Sequence, residues 1–115
     1  MKRLFPVLLL IASLLIGGNS LAQRAAHPLT VGSFNLRYLN DHDGENSWAN
    51  RCQMVTDLIA YYGFDFLGTQ EGYLEQLRDI DILDNYDYIG VGRDDGKEAG
   101  EHSAIFYRTD RFDLL

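Results

Sequence analysis

The stretch FLGTQEG, residues 66–72, contains the end of a predicted strand, and that strand ends at the carboxylate of Glu71. The run FDFLG is continuous enough in apolar residues to predict a strand that is covered on both faces. That run stops at Gln70 and Glu71, and Gly72 follows at once. A carboxylate at the tip of a buried strand either starts the next helix, where the helix dipole favours it, or binds a metal ion.

The segments before this strand predict another strand, a loop and a helix. LTVGSFNLRY has a mixed strand pattern that ends near Leu36, and LNDHDGENS is rich in Asn, Asp and Gly, which is typical of a loop. Ser47 then fits the N-cap of a helix and Gly63 its C-cap. The apolar face of this helix is formed by Trp48, Cys52, Val55, Leu58, Ile59 and Tyr62.

The segments after the strand continue the alternation. YLEQLRDIDILD predicts a second helix, and YDYIGVG and SAIFYR predict two strands separated by the charged, Gly-rich loop RDDGKEAGEH. The predicted order is therefore β-α-β-α-β-β, an α/β fold whose first two strands are parallel and joined by a right-handed crossover.

Two polar residues lie at the ends of the two parallel strands. Parallel neighbours have their carboxyl ends at the same edge of the sheet, where ligands bind in open α/β folds. Asn35 and Glu71 occupy those ends, so we expect their side chains to meet. Magnesium is held by one or two carboxylates, with water and substrate phosphate in its other positions. Spacing alone leaves the metal site and the helix-dipole interpretation of Glu71 equally open.

Residues 1–22 predict a cleavable signal peptide. A basic start, MKR, precedes the apolar run LFPVLLLIASLLIGG, and Ser20 and Ala22 supply the small residues of a cleavage site. The competing interpretation is an uncleaved membrane helix, but Gly and polar residues close the run before a span of about 20 apolar residues is reached. We therefore expect a leader at 23–28, a domain at 29–115, and a secreted or periplasmic protein with no stable membrane anchor after cleavage.

The charge balance bears on partners and cofactors. The chain carries 17 acidic and 10 basic residues, a formal net charge of −7. Because nucleic-acid affinity depends on Lys and Arg at phosphates, this balance disfavours a long polyanion and suits a protein that gathers divalent cations. The single cysteine, Cys52, excludes an internal disulfide.

Three motifs, in this order, resemble a known superfamily. VGSFNLRY, DFLGTQEG and GEHSAIFYR are similar to the motifs of the endonuclease/exonuclease/phosphatase superfamily, and GENSW and GVGRDDG are similar to its secreted bacterial members. The resemblance covers Leu29 to Leu115. It implies the start of the two-sheet α/β sandwich of the DNase I-like fold, an incomplete N-terminal portion of that domain.

The resemblance also implies roles for individual residues. Glu71 matches the metal-binding glutamate of the family, and Asn35 matches the asparagine beside the metal and the scissile phosphate. The implied cofactor is Mg²⁺, or Mn²⁺ or Ca²⁺. Arg37 stands where some members carry an acidic residue, so it is expected to contact substrate or phosphate, or to be a surface arginine. Glu101 and His102 are expected on the substrate side.

The function implied is divalent-metal-dependent phosphoester hydrolysis of the phosphodiesterase, nuclease or phosphatase type. The family's later Asp-Asn and Asp-His motifs have no counterpart after Arg108, so we expect little hydrolase activity from this polypeptide alone. The alternatives are a non-catalytic secreted binding module and a decayed or incomplete gene product on the same scaffold. The class of phosphoester substrate stays open, and the sequence indicates no specific protein partner.

Overall fold

The computed structural model describes residues 27–115, which form four strands, two α-helices and one 3-10 segment. The predicted signal peptide at 1–22, and residues 23–26 of the predicted leader, lie outside the described residues. The elements are β1 Val31–Asn35, the 3-10 segment Asp41–Asn46, α1 Trp48–Tyr62, β2 Phe66–Gly72, α2 Leu74–Asp81, β3 Tyr86–Ile89 and β4 His102–Arg108. The predicted β-α-β-α-β-β order is confirmed. Within the described part of the chain, no helix has the length and apolar character needed to cross a membrane.

The four strands form one sheet in the order β1-β2-β4-β3. β1 and β2 are parallel as predicted, with Asn35 opposite Gln70, whereas β4 is antiparallel to both of its neighbours. The carboxyl ends of β1 and β2 therefore meet at one edge. His102, at the start of β4, lies opposite Gly72 and so belongs to the same edge.

Helix α1 begins and ends where the sequence predicts. Ser47 is its N-cap, and Gly63 ends it in the left-handed conformation at φ 56°, with its N–H bonded to the carbonyl of Ile59. The predicted apolar face is only partly buried, because Leu58 and Tyr62 are 38% and 57% exposed. Both lie on the flank of the helix: at 3.6 residues per turn, Tyr62 lies about 60° and Leu58 about 100° from the centre of the buried stripe.

The loop predicted between β1 and α1 has more local structure than its composition indicates. Six of its residues form the 3-10 segment, which the side chain of Asn40 caps by accepting the N–H of His42 at 3.0 Å. Gly44, at φ 52° and ψ −121°, interrupts the segment. Short 3-10 turns depend on such local caps and carry no periodic signal, which is why the prediction missed them.

The core lies between one face of the sheet and the two helices. Its fully buried side chains include Leu36, Val55, Ile59, Leu67, Leu77, Ile80 and Phe106. The prediction that β2 is covered on both faces is wrong for the described residues, since burial alternates along that strand. On the other face of the sheet Val31 is 66% exposed, and Ile89 and Ile105 are also exposed.

Asp65 joins three parts of the chain at the start of β2. Its carboxylate is buried, accepts the N–H of Thr30 at 2.8 Å, and pairs with Arg111 near the end of the chain. Its own N–H donates to the carbonyl of Thr30 at 2.7 Å. This one side chain therefore fixes the start of β1 and the final turn against β2.

We predict that Asp65→Ala lowers the free energy of unfolding by about 2 kcal/mol, because hydrogen bonds to a charged group are lost at a buried position. Urea denaturation followed by circular dichroism measures the change. Asp84→Ala, which removes an exposed carboxylate, serves as the control and should change the stability little. Equal effects of the two substitutions would contradict the role given to Asp65.

Candidate metal centre at the carboxyl edge of β1 and β2

The parallel pairing of β1 and β2 brings Asn35 and Glu71 into contact, as the sequence predicts. The ladder continues one residue past β1, where the N–H of Leu36 donates to the carbonyl of Gln70 at 2.9 Å. At the tip of this ladder, Nδ2 of Asn35 donates to Oε1 of Glu71 at 2.9 Å. The two residues are 36 positions apart in sequence. Their contact is therefore a product of the strand topology.

Glu71 has a backbone conformation that residues other than glycine rarely adopt. Its φ is 59°, in the left-handed region, and the pairing of β2 with β4 shifts register between Thr69 and Gly72. For a residue with a side chain this conformation costs about 1–2 kcal/mol. The irregularity turns the strand at Glu71, as bulges beside functional sites do. Strain of this kind is concentrated at functional sites, where the surrounding structure maintains it.

Both polar atoms of the Asn35 amide have partners. Oδ1 accepts the N–H of Arg37 at 2.8 Å, while Nδ2 donates to Glu71. A carboxylate only accepts and an N–H only donates, so these two partners fix the orientation of the amide. Among the described residues, the bond from Asn35 goes to Oε1 of Glu71, and no hydrogen bond goes to Oε2. In this arrangement Asn35 holds the carboxylate of Glu71 in place.

Arg37 also has a left-handed backbone, at φ 60°. Its guanidinium forms a two-pronged contact with Asp43, from Nε at 3.1 Å and from Nη2 at 3.0 Å, and lies 4.7 Å from the ring centre of Tyr38. The hydrogen bond to Asp43 raises the pKa of Arg37, and the same bond lowers the pKa of the Asp43 carboxyl. The substrate contact expected of Arg37 stays a prediction; the structure engages its guanidinium with Asp43.

Glu101 and His102 lie at the start of β4, beside the end of β2. Glu101 is half-buried and forms an ion pair with Nη1 of Arg93 at 2.7 Å. His102 is only 2% exposed, and its Nδ1 is 3.1 Å from the carbonyl of Gly100. The structure thus places both residues at the predicted edge, with the imidazole inside the fold. Their substrate-side roles stay predictions.

The donor set at this edge suits a hard cation that keeps most of its water. Glu71 offers a carboxylate and Asn35 an amide oxygen with a second lone pair, and oxygen ligands of this kind are those that Mg²⁺, Mn²⁺ and Ca²⁺ take. Over residues 27–115, no group of three or more His, Cys, Asp or Glu side chains converges as a cage would. The arrangement fits the sparse protein ligation of Mg²⁺ better than the closed sites of Zn²⁺.

Sequence reasoning missed two residues that support this edge. The composition predicts that Asp43 lies in a solvated loop, whereas it pairs with Arg37. The pattern places Gln76 in the second helix, as observed, but does not indicate that its side chain is completely buried and bonded to the backbone of Tyr73 and Arg37. A glutamine three residues after a helix N-cap is a recognised capping position, and this spacing was the one signal available for Gln76.

We predict that Glu71→Gly is more stable than Glu71→Ala by about 1 kcal/mol, because glycine adopts the left-handed conformation without steric cost. Both variants lose the carboxylate, so their difference in free energy of unfolding isolates the backbone strain. At the neighbouring Gln70, whose φ is not positive, the order should reverse and the alanine variant should be the more stable. The same order at both positions would exclude strain at Glu71.

We predict that Arg37→Gln raises the pKa of Asp43 towards 3.8, its ordinary value, because the hydrogen bond from Arg37 is the largest cause of the lowering. Since the folded-state pKa of Asp43 is depressed, the pair stabilises the fold above the unfolded pKa. That contribution is lost as the pH falls through the folded pKa. Titration of the Asp43 carboxyl carbon by NMR measures the shift. Arg93→Gln is the control, and a low Asp43 pKa retained in Arg37→Gln would assign the lowering to other groups.

Solved structures that are similar to this chain include three from Bacteroides species. A mannosyl-6-phosphatase from Bacteroides thetaiotaomicron VPI-5482 is 53% identical with a TM-score of 0.73, and the match covers 76% of this chain and 34% of that one. An endonuclease/exonuclease/phosphatase family protein from the same species is 53% identical with a TM-score of 0.72, over 76% and 32% of the two chains. An endonuclease/exonuclease/phosphatase from Bacteroides vulgatus is 44% identical with a TM-score of 0.70, over 72% and 32%.

No protein-family model matches the chain, and no curated protein matches it. The chain spans about a third of the length of the three solved structures. The match to them joins sequence identity of 44–53% with the same arrangement of strands and helices. The chain is therefore similar to proteins of the endonuclease/exonuclease/phosphatase family, and its β-α-β-α-β-β unit matches the start of that family's DNase I-like fold.

Proposed function

We propose that the chain carries one part of the active site of a divalent-metal-dependent phosphoester hydrolase, with Mg²⁺ as the preferred ion and Mn²⁺ or Ca²⁺ as substitutes. The observation that supports this most directly is the 2.9 Å contact between Asn35 and Glu71 at the shared edge of two parallel strands. The strained backbone of Glu71 supports it as well, since a residue that only started α2 would have no need of a left-handed conformation.

The chain's own residues have separable tasks in this proposal. A divalent cation, when bound, supplies positive charge that stabilises the phosphate in the transition state. Glu71 would hold the cation through its carboxylate, and Asn35, which donates to Oε1 of Glu71, would keep that carboxylate in one orientation. A phosphate offers a guanidinium the same paired acceptors as a carboxylate, so Arg37 would bind substrate by exchanging Asp43 for a phosphate.

Within this function, a sugar phosphomonoester is the substrate class to test first. The neighbour described as a mannosyl-6-phosphatase shares 53% of its matched residues with this chain. The net charge of −7 disfavours a long nucleic acid, which binds through Lys and Arg. We also propose that the protein acts outside the cytoplasm, because residues 1–22 have the composition of a signal peptide.

We further propose that hydrolysis needs catalytic groups in addition to Asn35 and Glu71, and that this polypeptide alone turns over little substrate. The general acid or base of a hydrolase has to lie within hydrogen-bond reach of the proton that it moves. The family's Asp-Asn and Asp-His motifs have no counterpart in this sequence. A substantial rate on a sugar phosphomonoester with Mg²⁺, abolished by Glu71→Gln, would overturn this part of the proposal.

We predict that the chain binds Mn²⁺ at Glu71 and that Glu71→Gln weakens this binding at least about tenfold, because the amide removes the anionic ligand. Isothermal titration gives the dissociation constant, and paramagnetic broadening in amide NMR spectra places the ion. The resonances of Asn35 and Gly72 should broaden first.

The matched control is Glu75→Gln, which makes the same change of charge at an exposed glutamate of α2, four residues after Glu71. It should leave the dissociation constant within about twofold of the wild-type value, as expected for an exposed substitution. Equal weakening by both substitutions would point to general attraction of cations by an acidic surface, and the metal site at Glu71 would then be rejected.

A further inference from the structure

Gln76 is a completely buried polar side chain that the proposed reaction does not use directly. It lies in the first turn of α2 and is 0% exposed. Its Oε1 accepts the N–H of Tyr73 at 3.0 Å, and its Nε2 donates to the carbonyl of Arg37 at 2.8 Å. Burying an amide is unfavourable unless its polar atoms are paired, so these two bonds fix the side chain in one position.

The two partners of Gln76 lie just past the ends of the two strands that carry the site. Tyr73 follows Glu71 by two positions, and Arg37 follows Asn35 by two positions. One partner is local, whereas the other is 39 positions away in sequence. Gln76 therefore joins the segment after β1 to the segment after β2, which an ordinary capping glutamine would not do.

The backbone of Arg37 links Gln76 to the Asn35 side chain of the site. The carbonyl of Arg37 accepts from Gln76, and the N–H of Arg37 donates to Oδ1 of Asn35 at 2.8 Å. With its φ at 60°, Arg37 occupies a conformation that is unfavourable for a residue with a side chain. Loss of the bond from Gln76 would free this backbone to relax, and the amide of Asn35 would lose its fixed partner.

Hydrogen bonds and chain links thus form a closed ring around the site. Starting at Gln76, it passes through Arg37 to Asn35, across to Glu71, and back through Tyr73. Both left-handed residues of this edge belong to the ring. Gly72 lets the surrounding segments approach closely, since a Cβ there would lie 3.0–3.1 Å from the side chains of Leu77 and Leu36.

We propose that Gln76 is a positioning residue of the site: it fixes the amide of Asn35 against the carboxylate of Glu71 and thereby sets the affinity for the cation. The statement about affinity rests on the proposed metal-dependent function. The statement about the Asn35–Glu71 pair concerns the chain alone and is tested without any metal.

The test uses the full chain with Gln76→Met, which keeps the length of the side chain and removes both hydrogen bonds. The first readout is the displacement of the Asn35 side-chain amide resonance by Glu71→Ala, because that substitution removes the acceptor of the Asn35 hydrogen bond. We expect this displacement to fall, in the Gln76→Met background, to less than about half of its size in the wild-type background. The second readout is Mn²⁺ affinity, expected to weaken about tenfold, as when groups that orient metal ligands are removed.

The control is Gln53→Met, which removes the amide of an exposed glutamine in α1 that donates to Asp57 at 2.9 Å. It should leave both readouts unchanged. A folded Gln76→Met variant in which Glu71→Ala displaces the Asn35 resonance as much as in wild type would overturn the positioning role. If wild-type protein fails to bind Mn²⁺ while Gln76→Met still abolishes this displacement, the proposed function fails and the positioning role stands.

A second variant, Gln76→Glu, covers the case in which methionine prevents folding. Its protonated carboxyl can accept from Tyr73 and donate to Arg37, whereas its ionised form cannot donate. We expect the Asn35 resonance to match wild type at low pH and to depart from it as the new carboxyl ionises. A resonance that matches wild type over the whole titration would count against the proposal, because a residue that only fills space gives no such pH dependence.

Discussion

The parallel pairing of β1 with β2 is the constraint on which the site depends. Asn35 and Glu71 are far apart in sequence and meet only because both strands end at the same edge in one register. Since side chains alternate between the faces of a strand, a slip of one residue would remove the contact. The core prevents that slip, because Leu67 of β2 and the residues of α1 and α2 are buried together on a single face of the sheet.

Two residues of this edge have unfavourable backbone conformations. Arg37 and Glu71 both have positive φ values, and each costs about 1–2 kcal/mol relative to an ordinary backbone. Hydrogen bonds from neighbouring polar groups offset this cost at Arg37. Oδ1 of Asn35 accepts the N–H of Arg37, and Nε2 of Gln76 donates to its carbonyl. A buried glutamine is therefore part of the reason why a charged residue can occupy the tip of β2.

The sequence predicted those features that depend on periodicity and on strong local signals. Ser47 and Gly63 bound α1 because cap residues act through their own backbone, and the contact of Asn35 with Glu71 follows from strand topology. The positive φ of Glu71 was not predictable, since a non-glycine residue carries no sequence signal for this conformation. The hydrogen bond from Gln76 to Arg37 was not predictable for another reason: it depends on how α2 packs beside the segment after β1.

The contacts that shape the candidate site all lie between residues 35 and 76, on the helix-covered side and the carboxyl edge of the sheet. The exposed apolar residues of the opposite face, such as Val31 and Ile105, take no part in these contacts. In the proposed function, cation binding and turnover are consequently separable properties. The geometry that orients Glu71 is complete within the described residues, whereas in-line attack on a phosphate needs a positioned base as well. In the proposed function, a site that binds its ion without turning over substrate would be the physical consequence of this division.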